Sequence, residues 1–222
     1  NAISRFIEEE NPELEFENPF SKIERPEIND RIMETHIPSL AELDAILTEA
    51  KSEPMYYLIL AISTRTGMAA SKIIRLTKTC VFEENGAIGV YLNDDLYPQK
   101  SSAIVFPNDV GILFKKYIES IIVVDSENHI FYNKHGNPLT IKNLDSNISR
   151  IVKKAGVTYP YTLKDMRSRA ILDMIDAGAD EKAVQNYVGI GPIRTRQYFE
   201  AKGIVRGCPA SLVNYEIKAV AE

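Results

Sequence analysis

Apolar positions along the chain recur at helical spacing, switch to alternation over a short middle interval, and then return to helical spacing. Ser39 with Glu42 three residues on makes a capping box and predicts a helix through about residue 51. Pro54 opens a second helix, which stops at Gly67, and a short third helix is predicted over 70–78. The period then changes. TCVFEE (79–84), the turn Asn85-Gly86, AIGVYL (87–92) and SSAIVF (101–106) predict three strands, because Asn-Gly between β-branched runs is a strong hairpin signal. From Asn108, residues Val110, Leu113, Phe114, Tyr117, Ile118 and Ile121 restore helical spacing. HIFYN (129–133) predicts a short strand, followed by helices over about 141–155, 163–177, 180–188 and 192–202. The expected fold class is mainly α with a small antiparallel β-sheet (α+β).

The 141–155 helix has two faces. Ile141, Leu144, Ile148, Ile151 and Val152 form its apolar stripe, while Asn143, Ser146, Asn147, Arg150, Lys153 and Lys154 lie opposite. A polar face is normally only hydrated, but amide, hydroxyl and guanidinium groups also suit base edges in a major groove, and lysines suit phosphates. Residues 1–18 are expected to be the end of a preceding domain and its linker, 19–209 the main domain, and 210–222 a tail helix. Leu212, Val213, Ile217 and Val220 suit that tail to packing on its own domain or to self-association.

Composition changes the picture only when it is localised. With 45% hydrophobic and 26% charged residues, the chain is ordinary globular material. No apolar run is long enough to span a membrane, and the opening NAISRFIEEE lacks the pattern of a signal peptide. Cys80 and Cys208 lie far apart with no metal-binding spacing, which predicts free thiols in a reducing cytoplasm, with no metal and no cofactor. His36, His129 and His135 are too scattered for an acid–base pair. The net charge of −5 argues against a nucleic-acid partner until it is divided. The balance is −9 over residues 1–60, 0 over 61–140 and +4 over 141–222, so the basic density that phosphates respond to lies in the last third.

The order of motifs is the most specific signal. T-G-M-A-A-S-K-I-I-R-L (66–76), a β interval with Lys100 before its last strand, P-Y-T-L-K (160–164), V-G-I (188–190) and R-T-R-Q-Y-F (194–199) resemble the tyrosine recombinase or phage integrase family over about residues 19–209. That resemblance implies attack by a tyrosine hydroxyl on a DNA phosphodiester. Two arginines, histidines and a hairpin lysine would stabilise the pentavalent phosphate, without metal. Mapped onto this chain, the first arginine falls on Ala69 and the nearby acid on Lys72. The H-x-x-R pair falls on Tyr161 and Lys164, the second histidine on Ile190, and the nucleophile on Phe199, with Tyr198 one place early. Lys100 alone keeps its family role.

A methyl group holds no phosphate, and lysine lacks the two-pronged geometry of arginine. Each lost cation removes a factor of about 100 to 1,000 in rate. A one-residue shift on a helix turns a side chain by about 100°. The expectation is therefore a catalytically inactive, non-enzymatic, sequence-specific regulator, such as a prophage or mobile-element repressor. It resembles the recombinase-derived lysogeny repressors of SPbeta-like phages. Double-stranded DNA is the expected partner, gripped by Lys72, Arg75, Lys78, Lys100, Lys153, Lys164, Arg167, Arg169, Arg194 and Arg196, with base contacts from Asn143, Ser146, Asn147 and Arg150. Two other readings stay open. One is an active recombinase using Tyr198, Lys100, Lys164 and Arg167. The other is an interaction module that no longer touches DNA.

Overall fold

The chain enters the described region at His36, and the predicted capping box sets its first helix, α1 (Leu40–Ala50). Ser39 Oγ accepts from the Glu42 amide at 3.2 Å, and the Glu42 carboxylate accepts from the Ser39 amide at 2.9 Å. This computed structural model describes residues 36–92, 102–122 and 128–202. The expectations for residues 1–18, for Lys100, for Cys208 and for the 210–222 tail lie outside the described residues. So does the linker.

Helix α2 (Pro54–Thr66) is apolar on all sides and lies at the centre of the core, with Leu58, Ile59, Leu60 and Ile62 fully buried. Its hydroxyls are satisfied within the fold: Thr64 Oγ1 donates to Leu60 O at 2.8 Å and Thr66 Oγ1 to Ile62 O at 2.6 Å. Gly67 ends the helix at φ 66°, a left-handed conformation that needs glycine. Helices α4 (Asn108–Ser120) and α6 (Leu163–Asp176) pack against α2.

Strands β1 (Val81–Glu84), β2 (Ala87–Leu92) and β3 (Ser102–Val105) form an antiparallel sheet in the order β1-β2-β3, with Glu84 opposite Ala87 and Gly89 opposite Val105. Asn85 and Gly86 make the turn at φ 51° and 78°. β2 turns Ile88, Val90 and Leu92 into the core, and Gly89 lets the Phe82 ring lie against the strand on the other face. Helices α5 (Ile141–Lys154), α7 (Glu181–Val188) and α8 (Pro192–Ala201) complete the order. Thr140, Thr162 and Asp180 cap α5, α6 and α7 through their side chains. The mainly helical fold with a small antiparallel sheet is as expected. Of the apolar residues read from the periodicity, Val110, Phe114, Leu144, Ile148, Ile151 and Val152 are buried, Leu113, Tyr117, Ile118 and Ile121 are half-buried, and Ile141 is exposed.

Two local expectations are corrected. Helix α3 spans only Ala70–Ile73, and Lys78–Cys80 is a 3-10 turn. HIFYN forms isolated bridges in place of a strand, pairing Thr77 with His129 and Tyr132 with Pro138. One cause accounts for the first change and part of the second. The Lys78 amide donates to Asn128 O at 2.8 Å and the Ile130 amide to Leu76 O at 3.0 Å, so residues 76–78 spend their backbone groups on a distant segment and leave the helix.

Candidate nucleic-acid interface

The positions aligned with the family's reaction centre are divided between the main core, which holds Tyr161, and a smaller apolar cluster of Ile171, Leu172, Ile175, Val184, Val188 and Tyr198. Ala69 caps α3 without a side-chain hydrogen bond, and Lys164 is exposed in the first turn of α6. Ile190 and Phe199 are half-buried against the smaller cluster. Tyr161 is buried and donates to Glu42 Oε1 at 2.9 Å, next to the α1 capping box. Burial, then the hydrogen bond and charge of Glu42, push its phenol up to about 12. The Tyr198 ring is also buried, and its hydroxyl shares a 2.9 Å hydrogen bond with Ser168 Oγ of α6, itself 1% exposed.

Basic groups collect around the same two loops. Arg167 Nε donates to Gly67 O at 2.7 Å and its Nη2 to Val188 O at 3.5 Å, which ties the end of α2 to the end of α7. Lys72 lies over Gly189, where a Cβ would fall 2.6 Å from Lys72 Nζ. Arg194 places its guanidinium carbon 5.8 Å from the centre of the Tyr198 ring and donates to Gln197 Oε1 at 3.3 Å. Lys72 and Arg167 thus both reach the 188–189 peptide, while Arg194 lies over Tyr198. Arg169 is turned to Asp173, at 2.8 and 3.0 Å, and to Pro38 O at 3.4 Å. Arg75 and Arg196 are exposed, and Lys78 is half-buried.

The polar face of α5 divides into two stripes. Along one, Thr140 Oγ1 donates to Asn143 Oδ1, Asn147 Nδ2 to Asn143 O, and Arg150 Nη2 to Asn147 Oδ1. The Arg150 guanidinium then meets Glu53 with both prongs, at 2.8 and 2.6 Å. Lys154 stands 4.0 Å from Glu49 on the same side. Along the other stripe, Lys142, Ser146, Ser149 and Lys153 are exposed. Glu53 and Ser168 are residues that sequence reasoning missed, and it read Glu42 only as a helix cap. Glu53 is 97 positions from Arg150, and no local pattern connects them. Among the described residues, no helix is long and apolar enough to cross a membrane.

Residues 39–202 match the phage integrase family. The tyrosine recombinase XerD of Halalkalibacterium halodurans is 25% identical over 173 residues, 72% of this chain and 55% of its own length. The XerD of Staphylococcus saprophyticus is 26% identical over 177 residues, 78% of this chain and 56% of its own length. The chain thus spans about half the length of each relative. Among solved structures, the Tn1549 transposon integrase in complex with a circular intermediate DNA superposes with a TM-score of 0.67 at 19% identity, covering 88% of this chain and 71% of that one. XerH recombinase bound to palindromic difH substrate gives 0.64 at 20%, covering 75% and 50%. These structures share the fold. The expectation of a non-enzyme is corrected by these matches, because the relatives are named recombinases and the family is one of enzymes. The altered residues at 69, 161, 164, 190 and 199 do not remove it from that family: this chain belongs to the phage integrase family, the tyrosine recombinases.

Proposed function

We propose that this chain binds a specific duplex DNA sequence and regulates transcription there, as a cytoplasmic repressor belonging to a prophage or mobile element. The observation that carries the DNA reading is a basic surface spread over several elements of the family fold. Lys153 on α5, Lys164 on α6 and Arg196 on α8 are exposed, Lys72 and Arg167 lie at the Gly67 and Gly189 loops, and Arg194 lies over Tyr198. The XerH and Tn1549 integrase neighbours, which are complexes with DNA, support the same reading.

In this reading α5 supplies base contacts through Asn143, Ser146, Asn147 and Arg150, and the lysines and remaining arginines hold phosphates. Arg150 exchanges the Glu53 carboxylate for a base edge when it binds. Residues 210–222 mediate self-association.

The experiment incubates the chain with genomic fragments at low salt, recovers the bound duplex and compares it with random DNA. A transcriptional reporter then reads its promoter. Arg150→Ala is expected to relax sequence preference, and Lys153→Ala to weaken all duplexes alike and lower the salt slope by about 1. Equal affinity for recovered and random duplex overturns sequence-specific binding. A suicide substrate trapped as a covalent adduct, and lost in Tyr198→Phe, replaces occupancy with strand cleavage.

A further inference from the structure

Glu53 occupies the N-cap position of α2, yet its carboxylate accepts no capping hydrogen bond from the first turn of that helix. An acidic side chain at this position ordinarily takes up the free amides. Here both oxygens are given to Arg150 of α5 instead, with Nη1 donating to Oε1 at 2.8 Å and Nη2 to Oε2 at 2.6 Å. Nη2 also donates to Asn147 Oδ1 at 3.1 Å, and Asn147 Nδ2 donates to Asn143 O at 2.8 Å. Both ends of the Asn147 amide are therefore engaged. Two of the side chains assigned to base contact thus sit in one internal network that ends on a carboxylate. One turn further along α5, Lys154 stands 4.0 Å from Glu49 at the end of α1, so a second carboxylate faces the same helix.

We propose that Glu53 is a specificity-determining residue, whose carboxylate withholds Arg150 from the phosphates of arbitrary duplex DNA and yields it to the edge of a guanine. This rests on the DNA-binding reading above and adds to it the group that makes the contact selective.

Two features support the exchange. The Arg150 and Glu53 side chains are 40% and 30% exposed, so the pair is open to an incoming ligand, and ion pairs this exposed are weak enough to be replaced. The second feature is shape together with charge. A carboxylate offers arginine two parallel acceptors, and guanine offers the same through O6 and N7 in the major groove. A phosphate also has two suitable oxygens, but it brings a negative charge against Glu53, whereas the guanine edge is neutral. The carboxylate therefore opposes the sequence-independent partner more than the sequence-dependent one.

The test uses the full chain with the duplex recovered from genomic fragments and a random duplex of equal length. Glu53→Gln is expected to raise affinity for the random duplex about threefold, the factor that releasing one exposed ion pair allows, and to change the recovered duplex less, so that discrimination falls. In an Arg150→Ala background the same substitution is expected to change neither duplex beyond the effect of Asp145→Asn, which removes an equal charge from an exposed position on α5 and leaves discrimination at the wild-type level. Replacing single guanines of the recovered duplex by 7-deazaguanine removes N7, and at one position this should weaken the wild type while leaving Arg150→Ala unaffected. Melting curves confirm that each variant is folded. Discrimination by Glu53→Gln equal to that of the wild type, a gain on random DNA that persists without Arg150, or the absence of any such guanine overturns the role of Glu53 and leaves the DNA reading standing. A wild type that binds recovered and random duplex equally overturns the reading beneath it.

Discussion

Replacing Tyr198 with phenylalanine tests whether this hydroxyl belongs to the interior. Its ring is 3% exposed and its oxygen meets Ser168 Oγ, 1% exposed, at 2.9 Å. The substitution keeps the ring and removes one partner of a buried pair, leaving the serine hydroxyl without its bond. Stranding a buried polar group costs about 1–3 kcal/mol. For a chain of this size about 2 kcal/mol lowers the melting temperature by roughly 4–8 °C. Ser168→Ala strands the tyrosine oxygen and should cost a comparable amount. The double variant leaves neither group unpaired, so it should be more stable than the sum of the singles by about 1–2 kcal/mol. Urea or thermal melts of the four proteins complete the cycle. Strict additivity would refute the reasoning, because it would mean that the two hydroxyls are satisfied independently.

Glu53→Gln should weaken the two-pronged contact with Arg150 by only about 0.5–1 kcal/mol, since both side chains are partly exposed. The Arg150 hydrogen bond holds the Glu53 carboxyl below its ordinary value. The wild-type advantage is therefore present above about 4.3, the ordinary glutamate value, and fades as pH falls through the lower folded value, which urea melts at neutral and acid pH read directly. At the alkaline end, burial pushes Tyr117 and, with help from Glu42, Tyr161 up to about 12, against about 10 in an unfolded chain. The folded state then holds protons that the unfolded state releases, so stability should fall between about pH 10 and 12, and phenolate absorbance should show Tyr117 and Tyr161 among the late-titrating tyrosines. Gly89→Ala should cost about 1–3 kcal/mol in a denaturant melt, because its Cβ would lie 2.7 Å from Ile104 O and within the Phe82 ring.

Much of the architecture was legible locally. Ser39-Glu42, Pro54, Gly67 and Asn85-Gly86 act through neighbours a few residues away, and such short-range chemistry survives folding unchanged. The 70–78 helix failed for the complementary reason. Its local pattern was sound, but the backbone of 76–78 found partners at 128–130, which no window along the chain contains.

For the site, the sequence by itself determined which residue types are present: the uneven charge, the motif order that identifies the family, and the emptied positions at Ala69 and Ile190. The tertiary structure alone decided what the remaining groups face. Glu53 draws Arg150, Asn147 and Asn143 into a chain of internal hydrogen bonds, while Lys142, Ser146 and Lys153 on the same helix stay exposed. Ser168 takes the Tyr198 hydroxyl, and Lys72 and Arg167, 95 positions apart, both reach the 188–189 peptide. Periodicity ranks residues by face, but hydrogen bonds and charge act over a few ångströms in space. The pairings that define the candidate site therefore exist only once α2, α6, α7 and α8 have packed.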